Sequence, residues 1–250
     1  MSGEPPPILL PPSDGPLIEA ARAVLATPGL PAVALVGGLA VTARVSAAGS
    51  VHRATNDIDL VTVSRAPDPE VVELVAAAQG SPPGHLAVDG VTVDVIPTAA
   101  IDDEDLEGQE DRNRLFLAGH RWAFETAAEE QLSVPGGAAL SVRVATPAGL
   151  VTAKCHAVGY PSSVRRATKH GSDLLDVLRL VDLYGAGDAL ADAVRAAPGD
   201  LARLVADVCE REILANPVRA AHAITLAALT PTEADDVADV IGAFVDDLRR

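Results

Sequence analysis

Asp57 and Asp59 sit two residues apart in the run Thr55-Asn56-Asp57-Ile58-Asp59-Leu60, which continues through Val63 as an apolar, β-branched segment. Side chains alternate along a strand, so the two aspartates project from one face and their carboxylates converge. Adjacent anions repel one another, and a divalent cation relieves that repulsion. Hard oxygen ligands of this kind suit Mg2+ carrying substrate phosphates. Upstream, the apolar run Ala32 to Val36 closes on Gly37-Gly38, where missing Cβ atoms would let a backbone approach a phosphate. The pattern points to phosphoryl or nucleotidyl chemistry, set against the plainer reading of acids on the solvent face of an edge strand, since short motifs also arise by chance.

These residues need elements to hold them. Ala32 to Val36 reads as a buried strand and Leu39 to Val45 as the helix that follows the glycines. A helix over Leu17 to Ala26 precedes them, ended by Thr27-Pro28-Gly29, and Ile58 to Val63 is a second strand. Pro67 to Gln79 has helical spacing. From Leu86 to Ile96, Asp89-Gly90 between β-branched residues predicts a type I′ hairpin. On its second strand Val91, Val93 and Val95 share one face and Thr92, Asp94 and Ile96 the other, which leaves Asp94 as a lone acid among hydrophobes. It is either a third carboxylate beside the first two or a solvated edge position. Asp102 to Asp111 reads as an acidic solvated loop, Arg121 to Gln131 as a helix and Leu140 to Val144 as a strand.

Thr146-Pro147 supplies an N-cap and a proline at the first helical position, predicting a helix to about Val158 that carries Lys154. A basic loop over Tyr160 to His170 leads to a helix from Gly171 to Tyr184. Its Asp173, Asp176 and Arg179 are spaced by three, as on a solvated, ion-paired face. The alanine-rich remainder is helical, with Thr230-Pro231-Thr232-Glu233 as a capping box for the last helix. The expected organisation is an α/β (α+β) chain: a flexible leader over 1–16, a core domain of strands and helices over 17–145 and a helical domain over 146–250.

Composition sets the limits. A 250-residue chain that is 48% hydrophobic can bury a sizeable core, and with aromatics at 2% that core must be built from Ala, Val and Leu. Cys155 and Cys209 are too few for a disulfide framework or a zinc site and read as reduced core residues. No apolar run is long enough to span a membrane and the N-terminus lacks a basic start, so the expectation is a cytoplasmic protein without membrane partners. A net charge of −16 argues against a broad nucleic-acid-binding surface. Yet Gln131 through Ser172 contains no Asp or Glu, and Arg143, Lys154, Arg165, Arg166 and Lys169 all fall there. Lys154 and Lys169 are the only lysines in the chain. An ammonium is a compact point charge that a planar guanidinium does not replace at a tight phosphate site.

Gly37-Gly38, then Arg53-x-Thr55-x-Asp57-x-Asp59, then Asp94 on a following strand, resembles the nucleotidyltransferase superfamily that includes DNA polymerase β. The later pattern Thr146-Pro147-x-x-Leu150-x-x-x-Lys154-x-x-Ala157, followed by Arg166-x-x-Lys169-x-x-x-Asp173-Leu174-x-Asp176, looks like the AbiEii/AbiGii (MenT-like) toxin branch. The matches span about residues 30 to 185. The resemblance implies a nucleotidyltransferase mixed-sheet core and a helical half, with a nucleoside triphosphate held in the cleft between them. It implies Asp57 and Asp59 as Mg2+ ligands, Asp94 completing the carboxylate set, Lys154 neutralising triphosphate charge and Asp173 orienting or activating. Gly37, Gly38, Arg53, Thr55 and Lys169 would line the nucleotide. In this branch the acceptor is a tRNA 3′ end; other superfamily members modify proteins or small molecules. A toxin would also imply a cognate antitoxin protein. Two departures stand out: the loop from Val45 to Val51 is long, and Gly38 replaces a serine common in the wider superfamily.

Three functions follow as expectations. The first is an NTP-dependent nucleotidyltransferase, the toxin half of a toxin–antitoxin pair. The second is a non-catalytic nucleotide-binding regulator that keeps the fold. The third is an antibiotic-modifying nucleotidyltransferase, with Asp102 to Asp111 as the source of an acidic acceptor pocket. The confinement of both lysines to the acid-free window gives a test: if Lys154 is a point charge at the triphosphate, Lys154→Arg should lose nucleotide transfer, whereas Lys169→Arg should be tolerated. Full activity of Lys154→Arg in a transfer assay would return Lys154 to an ordinary surface residue.

Overall fold

A computed structural model describes residues 6–63, 73, 75–76, 86–98, 106, 108–160 and 167–250. Most of the helix expected over Pro67 to Gln79, the acids Asp102 to Asp105, and Arg165 and Arg166 lie outside the described residues. The chain divides into two compact units, Met1–Ala100 with Phe124–Thr146, and Ile101–Ala123 with Pro147–Arg250. The first is a mixed sheet with helices; the second is helical.

The sheet of the first unit has seven strands: β1 (Ile8–Leu9), β2 (Val33–Val36), β3 (Asp57–Thr62), β4 (Ala87–Val88), β5 (Val91–Pro97), β6 (Ala128–Ser133) and β7 (Leu140–Val144). Their order is β1-β6-β7-β2-β3-β5-β4. Strand β3 runs antiparallel to β2 and parallel to β5, so both strands carrying the candidate acids lie inside the sheet. The hairpin forms as its sequence predicts: β4 pairs antiparallel with β5, and Asp89 and Gly90 both take positive φ, 50° and 82°, as a type I′ turn demands. One face of β3 and β5 buries Ile58, Leu60, Val91 and Val93, and helices α1 (Gly15–Leu25) and α2 (Gly37–Ala47) pack against the sheet.

Two stretches of this unit differ from their expected form. Within the stretch read as a leader, β1 pairs parallel with β6 and Leu10 is buried; an apolar Ile-Leu-Leu triplet after the prolines has enough surface to dock. The segment expected as a helix over Arg121 to Gln131 is instead the end of a helix followed by β6. Its Ala-Glu-Glu-Gln-Leu-Ser sequence has poor β-propensity, and tertiary pairing overrides it. Leu132 lies opposite Leu140 and Glu129 opposite Arg143 on β7, with Ser141 donating to Glu129.

Arg44, near the end of α2, fastens that helix to the sheet. Its guanidinium donates to the backbone carbonyls of Ala145 at 2.9 Å and Val144 at 2.8 Å and pairs with Glu130 at 2.5 Å. This is a fork geometry that only arginine offers.

The second unit holds most of α3 (Asp111–Glu125), then α4 (Pro147–Gly159), α5 (Ala167–Tyr184), α6 (Ala189–Arg195), α7 (Leu201–Cys209), α8 (Pro217–Ala228) and α9 (Ala234–Leu248). Helix α5 packs against α4, α8 and α9, around a core that includes Leu150, Val158, Leu174, Val177, Leu180, Val205, Ile224 and Ile241. It begins at Ala167, four residues before the expected start, so Lys169 is helical rather than in a loop. The last helix opens after Glu233 without the expected side-chain cap. Cys155 and Cys209 are free and buried with sulfurs 4.0 Å apart; the hydrogen bond between them and burial hold the Cys155 thiol well above its ordinary range. Among the described residues no helix is long and apolar enough to cross a membrane.

Arg44→Ala should destabilise the protein by about 2–4 kcal/mol, because it strands Glu130 and two carbonyls at a largely buried site. Urea unfolding measures this; a loss below about 0.5 kcal/mol, the ordinary range for surface changes, would show that the clamp contributes little.

Candidate active site

The carboxylates converge because of strand register. Asp57 and Asp59 share a face of β3, and the parallel pairing places Asp59 directly beside Asp94 on β5. One oxygen from each of Asp57, Asp59 and Asp94 lies within 4.8 Å of the others. Asp57 and Asp59 are partly exposed and Asp94 is exposed. Strand β5 pairs with β4 only at Val91 and Thr92, so Asp94 lies exposed, beside Asp59 and beyond the described end of β4.

Backbone closes in on these acids from β2 and α2. Val36 ends β2 opposite Asp59, and the chain turns at once into α2 through Gly37, whose φ is +64°. A Cβ at Gly37 would overlap the Asp59 carboxylate, lying 2.5 Å from its Cγ. At Gly38 a Cβ would stand 2.6 Å from Thr55 Oγ1 and 3.7 Å from Arg53 Nη2. Any side chain at 38 would collide with Thr55, so the glycine and the threonine are a matched pair. Thr55 in turn donates its hydroxyl to Asp57 Oδ1 at 2.7 Å. Gly37, Gly38, Arg53, Thr55, Asp57, Asp59 and Asp94 thus form one neighbourhood at the first turn of α2.

Three carboxylates with converging oxygens are a hard donor set, and they fit a divalent cation of the Mg2+ or Ca2+ type better than a soft metal. The first-turn N–H groups of α2 have no intrahelical partners by construction, and the helix N-terminus favours an anion.

The second unit brings together Lys154 and Asp173 and adds Asp176. Lys154 Nζ, on α4, lies 3.0 Å from Asp173 Oδ1 and 2.7 Å from Asp176 Oδ2, both on α5. The aspartates are 1% and 0% exposed. The solvated face expected for Asp173, Asp176 and Arg179 is therefore divided: the two acids turn inward, and Arg179 sits outside with Asp182 at 3.9 Å. Lys169 is exposed one turn before Asp173 on the same helix.

His120 of α3 also faces this cluster, and nothing in the sequence singles it out. It is buried and its Nδ1–H donates to the Phe116 carbonyl at 2.7 Å, which fixes the neutral tautomer with the proton on Nδ1. Burial, opposed by that hydrogen bond and reinforced by the nearby Lys154 charge, lowers its pKa to about 4. Its ring packs on Phe116, which also meets His156.

Neither a family model nor a curated protein matches this sequence.

His120 makes stability pH-dependent in a defined direction. Its folded pKa of about 4 lies below the unfolded value of about 6.5, so the unfolded chain binds the proton first. The contribution is full above pH 6.5 and is lost as pH falls toward 4, by about 3 kcal/mol in all. His120→Gln keeps an N–H for the Phe116 carbonyl and should flatten the stability profile over that window. Parallel profiles for wild type and variant in urea unfolding between pH 4 and 7 would contradict this.

Proposed function

We propose that the chain is a Mg2+-dependent nucleotidyltransferase that moves a nucleoside monophosphate from an NTP to an acceptor hydroxyl. The reading is that of an AbiEii/AbiGii-like toxin of a toxin–antitoxin pair, with a tRNA 3′ end as the acceptor class. The observation that carries it is the convergence of Asp57, Asp59 and Asp94 within 4.8 Å, with Gly37 and Gly38 cleared of side chains beside them. A binding-only regulator gives no reason for a third carboxylate aligned with the first two.

In this reading Asp57 and Asp59 hold the metal, with Thr55 fixing the orientation of Asp57. The bound metal would supply charge stabilisation for the entering and leaving oxygens. The N–H groups of the α2 first turn, unhindered by Cβ atoms at Gly37 and Gly38, would hold phosphate oxygens, with Arg53 alongside. The acceptor oxygen bonds the α-phosphorus, the bridge to the β-phosphate breaks and pyrophosphate leaves. Asp94, the most exposed of the three acids, would take the hydroxyl proton. The resemblance assigns triphosphate charge to Lys154 and an orienting role to Asp173.

Calorimetry with ATP, CTP, GTP and UTP in Mg2+ should show binding of at least one, abolished by EDTA. Asp57→Asn and Asp59→Asn should lower transfer to labelled RNA by about a hundredfold or more while leaving the unfolding midpoint unchanged or raised, since each removes a like-charge repulsion. Wild-type protein that binds no NTP with Mg2+ would overturn the reading.

A further inference from the structure

The Lys154, Asp173 and Asp176 cluster is an unusual use of a helix face. Asp173 and Asp176 are three residues apart on α5 and interleaved with the buried Leu174, Leu175 and Val177. Placing two carboxylates and an ammonium in such surroundings carries a large desolvation cost, and apolar residues of the same size often serve stability as well or better. One carboxylate would be enough to pair the charge. The second, closer one at 2.7 Å adds an anchor on the same ammonium.

A lysine ammonium is a point charge on a flexible four-carbon stem, with considerable rotamer entropy and no planar fork to set its direction. A single carboxylate leaves such a group free to swing about it. Two carboxylates three residues apart on one helix, at 3.0 and 2.7 Å from the ammonium, tie it at two points. His120, also facing the cluster, is neutral above about pH 4, so it does not compete with Lys154 for the aspartates at neutral pH.

We propose that Asp176 is a positioning residue: together with Asp173 it holds the Lys154 ammonium in one place, so that Lys154 acts as a fixed cation toward a triphosphate. The part concerning triphosphate rests on the nucleotidyltransferase reading above; the grip on Lys154 does not.

The chain's two lysines make the grip directly observable. In uniformly [15N]lysine-labelled protein, with Lys169→Arg used for assignment, the Lys154 ammonium should show slow proton exchange at neutral pH and Lys169 fast exchange. Asp176→Asn keeps the side-chain size and removes the charge. It should speed Lys154 exchange and raise the NTP KM by about tenfold, with a smaller change in kcat, as expected for loss of binding that is equal in ground and transition states. Asp176→Glu should recover part of the KM. An unchanged Lys154 signal in Asp176→Asn would overturn the grip, and a changed signal with an unchanged KM would overturn the positioning role. If Asp176→Asn does not fold, the wild-type spectrum decides the grip, since Lys154 exchanging as fast as Lys169 refutes it, and the KM of Asp176→Glu decides the role. Wild type that neither binds nor transfers NTP would refute the nucleotidyltransferase reading and the triphosphate role with it, while the exchange measurement would still judge the grip.

Discussion

The first unit is organised around a repulsion it creates for itself. Parallel pairing of β3 with β5 puts Asp59 beside Asp94, and strand alternation adds Asp57 to the same face. Three anions within 4.8 Å oppose folding by Coulomb repulsion, and the sheet tolerates them because they lie at a partly solvated face where the effective dielectric is high. The opposite face of the same strands buries Ile58, Leu60 and Val93, so register is strongly specified: a one-residue shift would bury the acids and expose Ile58 and Leu60. The hydrophobic pattern that builds the core is also what forces the carboxylates together.

The close approach of α2 follows from the same arrangement. Strand β2 ends opposite Asp59, so the chain leaving it must turn within a side chain's width of the acids. Only glycine fits at 37, and Thr55 excludes anything larger at 38. At the far end of the helix, Arg44 holds the carbonyls of Val144 and Ala145. One end of α2 is set by the absence of side chains and the other by a long one, and between them the helix N-terminus is aimed at the acidic face.

This part of the molecule was legible because its determinants are local: alternation around Asp57 and Asp59, an Asp-Gly turn, and a glycine pair after a β-branched run. Strand β6 was not, since Glu129 is held by Ser141 on β7 and Glu130 by Arg44 on α2, contacts that no sequence window contains. The ion cluster in the second unit failed differently. Asp173, Asp176 and Arg179 have the spacing of a solvated face, but the buried neighbours Leu174, Leu175 and Val177 leave the two acids no wet side to turn toward. An acid pair surrounded by leucine and valine on every turn was the available signal that those acids face inward toward a cation.

The acid-free window from Gln131 to Ser172 changes meaning in the same light. It reads as a basic segment, yet its cations do not all face outward. Arg143 donates to the Phe124 carbonyl at 2.8 Å and lies over the Phe124 ring at 4.5 Å, and Lys154 is gripped by two aspartates from α5. The window lacks acids largely because β7 and α4 are core elements, where an unpaired carboxylate would be costly. Its basic character is thus partly internal wiring, consistent with the −16 net charge. For Arg143 and Lys154 the contacts that already hold each group fix where its charge can act, which makes the placing of each cation matter more than their number.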